Sequence, residues 1–143
     1  YHGPRNALPE TYNPIEVAQV LNEISKNIIA IKGNCDAEVD QMVLNFSLSD
    51  SAIIMLNNRE VLLTHGQHIN PEKPAKIADG AVVLYGHFHK ISKNIINNVV
   101  YINVGSIAIP KGETVKCYSL LDENGINFYD LNDNLIKSFD FSL

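Results

Sequence analysis

The sequence predicts an α/β domain in which two mixed β-sheets pack against each other and helices flank them. Two observations predict this fold class: early apolar, β-branched runs alternate with helical patterns, whereas later runs follow one another through tight turns. A hydrophobic content of 45% in 143 residues indicates a substantial core. We therefore expect one domain over residues 1–143, and a sandwich of sheets rather than a purely doubly wound sheet.

The first half of the chain supplies the helical signals. Asn13 can cap a helix, Pro14 suits its first position, and apolar residues recur at helical spacing to about Lys26. This pattern predicts a helix with one apolar face against a sheet. The run NIIAIK (27–32) has the β-branched character of a buried strand, and a second, short helix is expected around residues 37–44.

Turn residues separate the remaining strands. Apolar runs flank short polar pairs, and such pairs tolerate the left-handed backbone of a tight hairpin turn. We therefore expect hairpins at the pairs 57–58, 97–98, 124–125 and 133–134. The run AVVLY (81–85) predicts a further, fully buried strand.

Charge and cysteine content bear on the class of partner. With 11 Lys and Arg against 16 Asp and Glu, the formal charge is −5, and because no basic stripe follows the chain we expect no nucleic acid partner. Cys35 and Cys117 form neither a disulfide framework nor a CxxC metal clip, which favours a reducing, cytoplasmic setting. No apolar run approaches the roughly 20 residues of a membrane helix. We expect no membrane partner, and self-association stays open.

Side chains of the metal-ligand type follow three predicted strands. Asn34 follows the run 27–32, His65 follows the second strand of the 57–58 hairpin, and His87 and His89 follow AVVLY. The carboxyl ends of strands collect ligands in α/β sheets, and residues two apart on an extended chain face the same side. Imidazole nitrogens and an amide oxygen suit zinc, manganese, iron or nickel better than calcium.

Each residue alone also has an ordinary structural explanation. A single His after a strand is more often a hydrogen-bonded loop residue, and an Asn after Gly is usually a turn residue. Cys35 taken alone is an inert small hydrophobe, and His68 suits a solvated loop. Only the combination indicates a site.

Three motifs in order carry a resemblance to a known family: GNCD at 33–36, THG at 64–66 and GHFH at 86–89. They resemble the second half of the calcineurin-like metallophosphoesterase signature. The segments HGPRNALP, GNCDAEVDQM and NVGSIAIPKG narrow the resemblance to small bacterial phosphodiesterases of the YfcE type. The resemblance implies a phosphoric diester hydrolase that acts on a small-molecule phosphodiester. Its cofactors would be two divalent metal ions, with manganese favoured and zinc, iron or nickel as alternatives.

The resemblance also implies which residues hold the ions. One ion would be held by Asn34, His65 and His87, and His89 would belong to the other. A bridging water or hydroxide would attack phosphorus in line while both ions neutralise charge on the phosphoryl oxygens.

Two further residues are candidates for contact with the substrate. Cys35 stands where many relatives have a His that orients phosphate, and a neutral thiol is a weak hydrogen-bond donor. We therefore expect diesters with aryl-like leaving groups to be the best substrates. The resemblance places the cations Arg5 and Lys111 in loops near the mouth of the site. Each also suits a solvated surface position, which is the favoured interpretation for Lys111.

The family has two motifs that this sequence lacks, a D-x-H motif and a Gly-Asp pair whose Asp bridges the metal ions. The sequence opens at Tyr1, after the point where the Gly-Asp segment ends, so we expect an incomplete copy without the first strands. With these residues alone, one ion would keep three protein ligands and the other only His89. We then expect negligible dinuclear hydrolysis.

A non-catalytic protein-interaction scaffold of the same fold is the alternative, since the superfamily also includes a trafficking scaffold. Fold alone does not separate the two functions. Two bound ions with turnover would favour the enzyme, whereas one ion or none without turnover would favour the scaffold.

Overall fold

A computed structural model describes residues 7–143, which form two α-helices, one short 3-10 turn and ten strands. The chain divides into two compact units, Tyr1–Asp50 and Ser51–Leu143. Within the described residues, no helix combines the length and the apolar character needed to span a lipid bilayer. The single domain expected from the length of the chain stays a prediction.

The first unit begins with the predicted helix. Helix α1 (Pro14–Glu23) starts at the expected proline, and the side-chain oxygen of Asn13 accepts a hydrogen bond from the Glu16 amide at 3.2 Å. The helix ends three residues before the predicted end, and a 3-10 turn follows over Ser25–Asn27. The other elements are a parallel pair of two-residue strands, β1 (Ala30–Ile31) and β2 (Leu48–Ser49), and helix α2 (Glu38–Val43).

The expected burial of the apolar face of α1 is wrong for several positions. Ala18 is buried, whereas the side chains of Ile15 and Val17 are more than half exposed. The periodicity identifies which residues share a face of the helix, but it does not identify the surface that this face meets.

The second unit contains two sheets. The five-stranded sheet has the order β3-β4-β5-β7-β6, with β4, β5 and β7 parallel and antiparallel pairs at both edges. The three-stranded sheet is antiparallel, in the order β10-β9-β8. The strands are β3 (Ser51–Leu56), β4 (Arg59–Thr64), β5 (Val82–Tyr85), β6 (Ile91–Ile96), β7 (Val99–Val104), β8 (Cys117–Leu121), β9 (Gly125–Asp130) and β10 (Leu135–Asp140).

The two sheets share one core, which confirms the predicted sandwich. Val61, Val82 and Ile102 from the larger sheet pack with Ile126 and Phe128 from the smaller one. A second cluster covers the other face of the larger sheet, where Val83 and Tyr101 pack with side chains from the segment 69–77. The strands β4, β5 and β7 are therefore buried on both faces, as their continuous apolar runs indicate.

Tight turns of the predicted kind connect the antiparallel strands. Asn57 and Asn58 join β3 to β4 with φ values of 47° and 67°, and Asn97 and Asn98 join β6 to β7 with φ values of 51° and 60°. Positive φ at both central residues is the geometry that matches the twist of two-residue hairpins. The positions of these hairpins are confirmed.

Candidate metal centre

Two of the candidate histidines follow neighbouring parallel strands. The last register pair of β4 and β5 joins Thr64 to Tyr85, so the chain leaves both strands at the same edge of the sheet. His65 follows β4 directly, and the Gly86 amide donates a hydrogen bond to the His65 carbonyl at 2.9 Å. The loops of residues 65–70 and 86–89, called the histidine loops below, therefore begin side by side.

Two ring nitrogens of these loops lie close together. Nδ1 of His87 is 3.3 Å from Nε2 of His65, and both side chains are half-buried. The ring centroids are 5.2 Å apart in an edge-to-face arrangement. In the metal-free molecule one of the two nitrogens can donate a hydrogen bond to the other.

The separation of these nitrogens also fits a shared metal ion. Two ligand nitrogens at about 2.1 Å from a tetrahedral zinc ion lie about 3.4 Å apart. The observed nitrogen separation of 3.3 Å is close to that value. The donor set and its spacing thus fit two ligands of one divalent ion.

His87 has an uncommon backbone conformation. Its φ is 66°, and the Phe88 amide donates to the Gly86 carbonyl at 2.7 Å across it, which forms a three-residue turn. A positive φ is uncommon for residues other than glycine. Such strain is retained where the surrounding structure enforces it, and it is concentrated at functional sites.

His89 is held differently from the other two. Its Nδ1 lies 2.6 Å from the carbonyl oxygen of Ile109, and its φ is 60°. Because a carbonyl oxygen can only accept, Nδ1 donates, and the lone pair of the neutral ring is on Nε2. A backbone carbonyl that fixes one nitrogen in this way is the usual support of a metal-binding histidine.

Gly66 allows the two histidine loops to approach each other. Its φ is +113°, and a Cβ at this position would lie 3.0 Å from Cδ2 of Tyr85 and 3.2 Å from the Gly86 oxygen. The same Cβ would lie 3.3 Å from Cβ of His87. A side chain here would therefore push the loops apart.

An aromatic pair borders the pair of histidines. The exposed ring of Phe88 packs edge-to-face on His87, with centroids 5.1 Å apart, and on Tyr85 at 6.1 Å. Burial raises the pKa of Tyr85 above its ordinary value, although hydrogen bonds to neighbouring side chains oppose this shift. The Tyr85 hydroxyl therefore stays protonated at neutral pH, and the ring serves as an uncharged support.

The other candidate segment is the turn of residues 33–36 in the first unit. The Gly33 amide donates to the Asp36 carboxylate at 2.6 Å, and the Asp36 amide donates to the Gly33 carbonyl at 3.2 Å. Asn34 is exposed at the tip of the turn, and its amide nitrogen lies 3.5 Å from Sγ of Cys35. Cys35 is half-buried and is a free thiol.

The structure brings some of the predicted site residues together and separates others. His65 and His87 are in contact, but within residues 7–143 no three side chains of the His, Cys, Asp and Glu types form a group that could hold a metal ion. His89 thus forms no three-residue group with the pair, and the resemblance assigns it to a different ion. Arg5 lies outside the described residues.

Lys111 is near one histidine through its backbone. Its side chain is exposed, and its amide donates to the His89 carbonyl at 2.9 Å. The sequence suggested a role for the charged side chain of Lys111, whereas in the structure it is the backbone amide of Lys111 that contacts the histidine loop.

Two asparagines that were not predicted from the sequence contact the histidine loops. Asn103 donates to the Gly86 carbonyl at 2.6 Å, and Asn70 donates to the Gly66 carbonyl at 2.8 Å. A polar residue near the end of the otherwise apolar run VVYINV was the available signal for Asn103. An Asn before Pro indicates a turn, but it does not reveal the contact that Asn70 makes.

Comparisons with known proteins agree with the motifs. A sequence model described as a calcineurin-like phosphoesterase superfamily domain matches residues 12–125. Phosphodiesterase YfcE of Escherichia coli strain K12 is 40% identical over 136 residues, which cover 94% of this chain and 74% of that protein.

Solved structures agree with the predicted fold. The structure of YfcE, a phosphoesterase from E. coli, matches with a TM-score of 0.91 and 36% identity, over 99% of this chain and 79% of that chain. Vacuolar protein sorting 29 of Cryptosporidium parvum matches with a TM-score of 0.54 and 19% identity, over 87% of this chain and 76% of that chain. At that identity the second likeness concerns the fold alone.

Proposed function

The chain belongs to the calcineurin-like phosphoesterase superfamily, and from this premise we propose that it is a metal-dependent phosphodiesterase with a dinuclear metal centre. The substrate would be a small-molecule phosphodiester. The observation that carries the proposal is the contact of Nδ1 of His87 with Nε2 of His65 at 3.3 Å, which is the spacing of two ligands on one ion.

The proposal assigns His65, His87 and Asn34 to one ion and His89 to the other. The histidine pair is supported by its geometry, and His89 by the hydrogen bond from its Nδ1 to Ile109 at 2.6 Å. The assignment of Asn34 rests on the GNCD motif. Manganese is the proposed metal, with zinc, iron and nickel as alternatives that the same nitrogen and oxygen donors suit.

Divalent ions held here would neutralise charge on the phosphoryl oxygens and lower the pKa of a bound water. The chain itself has a formal charge of −5, so its own side chains supply little positive field for an anionic diester. The chain's contribution is to hold the imidazoles in place: the positive φ of His87 and the anchored ring of His89 fix two of the three.

Cys35 is the proposed neighbour of the phosphate. Its thiol is half-buried and lies next to Asn34 in the turn of residues 33–36. A neutral thiol protonates a departing oxygen poorly, so diesters with aryl leaving groups are the proposed substrates. Arg5 is proposed at the mouth of the site on the strength of the opening motif alone.

Two features support the proposed setting of the enzyme. Cys35 and Cys117 are both free thiols, which suits the reducing cytoplasm. The acidic composition argues against a nucleic acid partner.

The test is metal-restored turnover of a chromogenic diester. Protein freed of metal with EDTA is assayed on bis(p-nitrophenyl) phosphate after addition of manganese, zinc, iron(II) or nickel, and bound metal is counted by elemental analysis. We expect turnover that depends on added metal, with two ions bound per chain.

Two results would overturn this proposal. Folded protein that binds one ion or none, and does not turn over the diester with any of the four metals, would favour the scaffold. Faster turnover of the monoester p-nitrophenyl phosphate than of the diester would contradict the substrate class.

A further inference from the structure

Two buried polar side chains contact the histidine loops. Among the residues that the structure describes, the buried polar side chains are Asn70 and Asn103, which are 4% and 1% exposed. Each donates a hydrogen bond to the carbonyl of a glycine next to a candidate ligand: Gly66 after His65, and Gly86 before His87. Neither asparagine is a ligand in the proposed metal centre.

Asn103 fixes the peptide that leads into His87. It lies on β7 opposite Tyr85, and its Nδ2 donates to the Gly86 carbonyl at 2.6 Å. Its Oδ1 accepts from the Gly105 amide at 3.1 Å, so both ends of the side-chain amide are bonded. The same Gly86 carbonyl closes the turn that gives His87 its positive φ.

Asn70 fixes the peptide that follows His65. Its Nδ2 donates to the Gly66 carbonyl at 2.8 Å, and its Oδ1 accepts from the Glu72 amide at 2.9 Å. The two loops are joined directly by the hydrogen bond from Gly86 to the His65 carbonyl at 2.9 Å. Hydrogen bonds and the short backbone segments between them therefore connect Asn70, through both loops, to Asn103.

A buried amide is retained at a cost, since each of its polar atoms must find a partner away from water. An apolar side chain at either position would fill core volume without that requirement. Fully bonded polar groups in a core specify one arrangement of the groups that they contact. The groups contacted here are the Gly66 and Gly86 carbonyls, each one residue from a histidine of the pair.

We propose that Asn70 and Asn103 are positioning residues that set the spacing of His65 and His87 for a shared divalent ion. The part that concerns the ion rests on the proposed function. The part that concerns the ring spacing rests on the hydrogen bonds alone. The experiment therefore measures the two parts separately.

The first measurement uses metal-free protein. Asn103→Ala and Asn70→Ala are compared with Ile126→Ala, which removes a buried side chain in β9, a strand of the sheet that supplies none of the histidines. Ring nitrogen shifts of the histidines and the cross-relaxation between the rings of His65 and His87 are recorded by NMR. We expect the ring-to-ring signal to be lost in both asparagine variants and kept in Ile126→Ala.

The second measurement is the affinity for cobalt(II), followed by its visible absorption bands. We expect each asparagine variant to bind the ion about tenfold or more weakly, as removal of support from a ligand does in other sites, with altered bands. Ile126→Ala should bind with unchanged affinity and bands. In a diesterase assay, the asparagine variants should need more manganese than the wild type for the same activity. Their activity should be restored at high manganese concentration.

Asparagine variants that keep the ring-to-ring signal and the cobalt affinity, and lose only thermal stability as Ile126→Ala does, would overturn the proposal. If the wild type binds no cobalt, the proposed function fails. The NMR signal between the rings of His65 and His87 still tests whether the asparagines position them. Asn103→Asp keeps the acceptor for Gly105 and loses the donor to Gly86, so it carries the test if Asn103→Ala does not fold.

Discussion

The hydrogen bonds of the histidine loops join residues far apart in the chain, whereas the hydrogen bonds between Gly33 and Asp36 in the turn of residues 33–36 are local. The side chain of Asn103 donates a hydrogen bond to the carbonyl of Gly86, 17 positions earlier in the chain. The Gly86 amide donates to the carbonyl of His65, which follows the neighbouring strand β4. In the turn, two hydrogen bonds join Gly33 and Asp36, which are three residues apart. The hydrogen bonds around the histidines therefore depend on strand pairing, whereas those between Gly33 and Asp36 depend on consecutive residues.

The largest effect should follow from removing a histidine of the pair. His87→Ala takes away one of two nitrogens 3.3 Å apart, so we expect metal-dependent turnover to fall at least about a hundredfold, because electrostatic stabilisation by a metal is worth several kcal/mol. Diesterase rates and elemental analysis measure this. His68→Ala, at an exposed histidine in the loop of residues 65–70, is the control and should retain activity. Equal losses in both variants would contradict the assignment.

The contact between the loops can be broken without touching a histidine. Gly66→Ala adds a Cβ only 3.0 Å from the Tyr85 ring at a φ of +113°, and we expect about 3 kcal/mol less free energy of unfolding together with weakened metal binding. Gly80→Ala is the matched control. It also has a positive φ, of +79°, but no atom lies within 4 Å of the added Cβ, so we expect a loss of about 1 kcal/mol from strain alone. Urea unfolding of both variants measures the free energy of unfolding. Similar losses of stability in the two variants would mean that crowding at Gly66 is unimportant.

At Cys35, in the turn of residues 33–36, a substitution should act by changing the proton-donating group rather than the packing. Cys35→His replaces a weak donor by an imidazole, and we expect the rate on diesters with alkyl leaving groups to rise about tenfold relative to aryl diesters, since proton donation matters most for poor leaving groups. The slope of log kcat/KM against leaving-group pKa is the measurement. Cys117→Ser, at a buried cysteine on β8, is the control and should leave the slope unchanged. An unchanged slope in Cys35→His would remove Cys35 from the proposed site.

The smallest effect should appear at the Gly33 amide. Asp36→Ala removes the acceptor of the Gly33 amide at 2.6 Å, and we expect hydrogen exchange of that amide to speed up roughly tenfold, the equivalent of one modest hydrogen bond. The Ala37 amide, which donates to Asp40 at 2.7 Å, is the internal control. Unchanged exchange of the Gly33 amide in this variant would contradict the support that Asp36 gives to it.

Local patterns were sufficient for much of the fold. The asparagine pairs at 57–58 and 97–98 identified hairpins because positive φ is a property of those residues and their immediate neighbours. Asn13 and Pro14 likewise identified the start of α1. The apolar face of that helix was not placed correctly, since Ile15 and Val17 are exposed. The local sequence determines which residues share a face of the helix, but it does not determine which surface covers that face.

The sequence by itself determined which family the chain resembles and predicted which residues form the candidate centre, because motifs and turn residues occupy consecutive positions. Only the tertiary structure decided that Nδ1 of His87 lies close to Nε2 of His65 and that Asn103 donates a hydrogen bond to the Gly86 carbonyl. Those contacts depend on the parallel pairing of β4, β5 and β7, strands that long segments of chain separate. Nothing local to a strand specifies which neighbour it will pair with, so the supports of a site are harder to predict than its ligands.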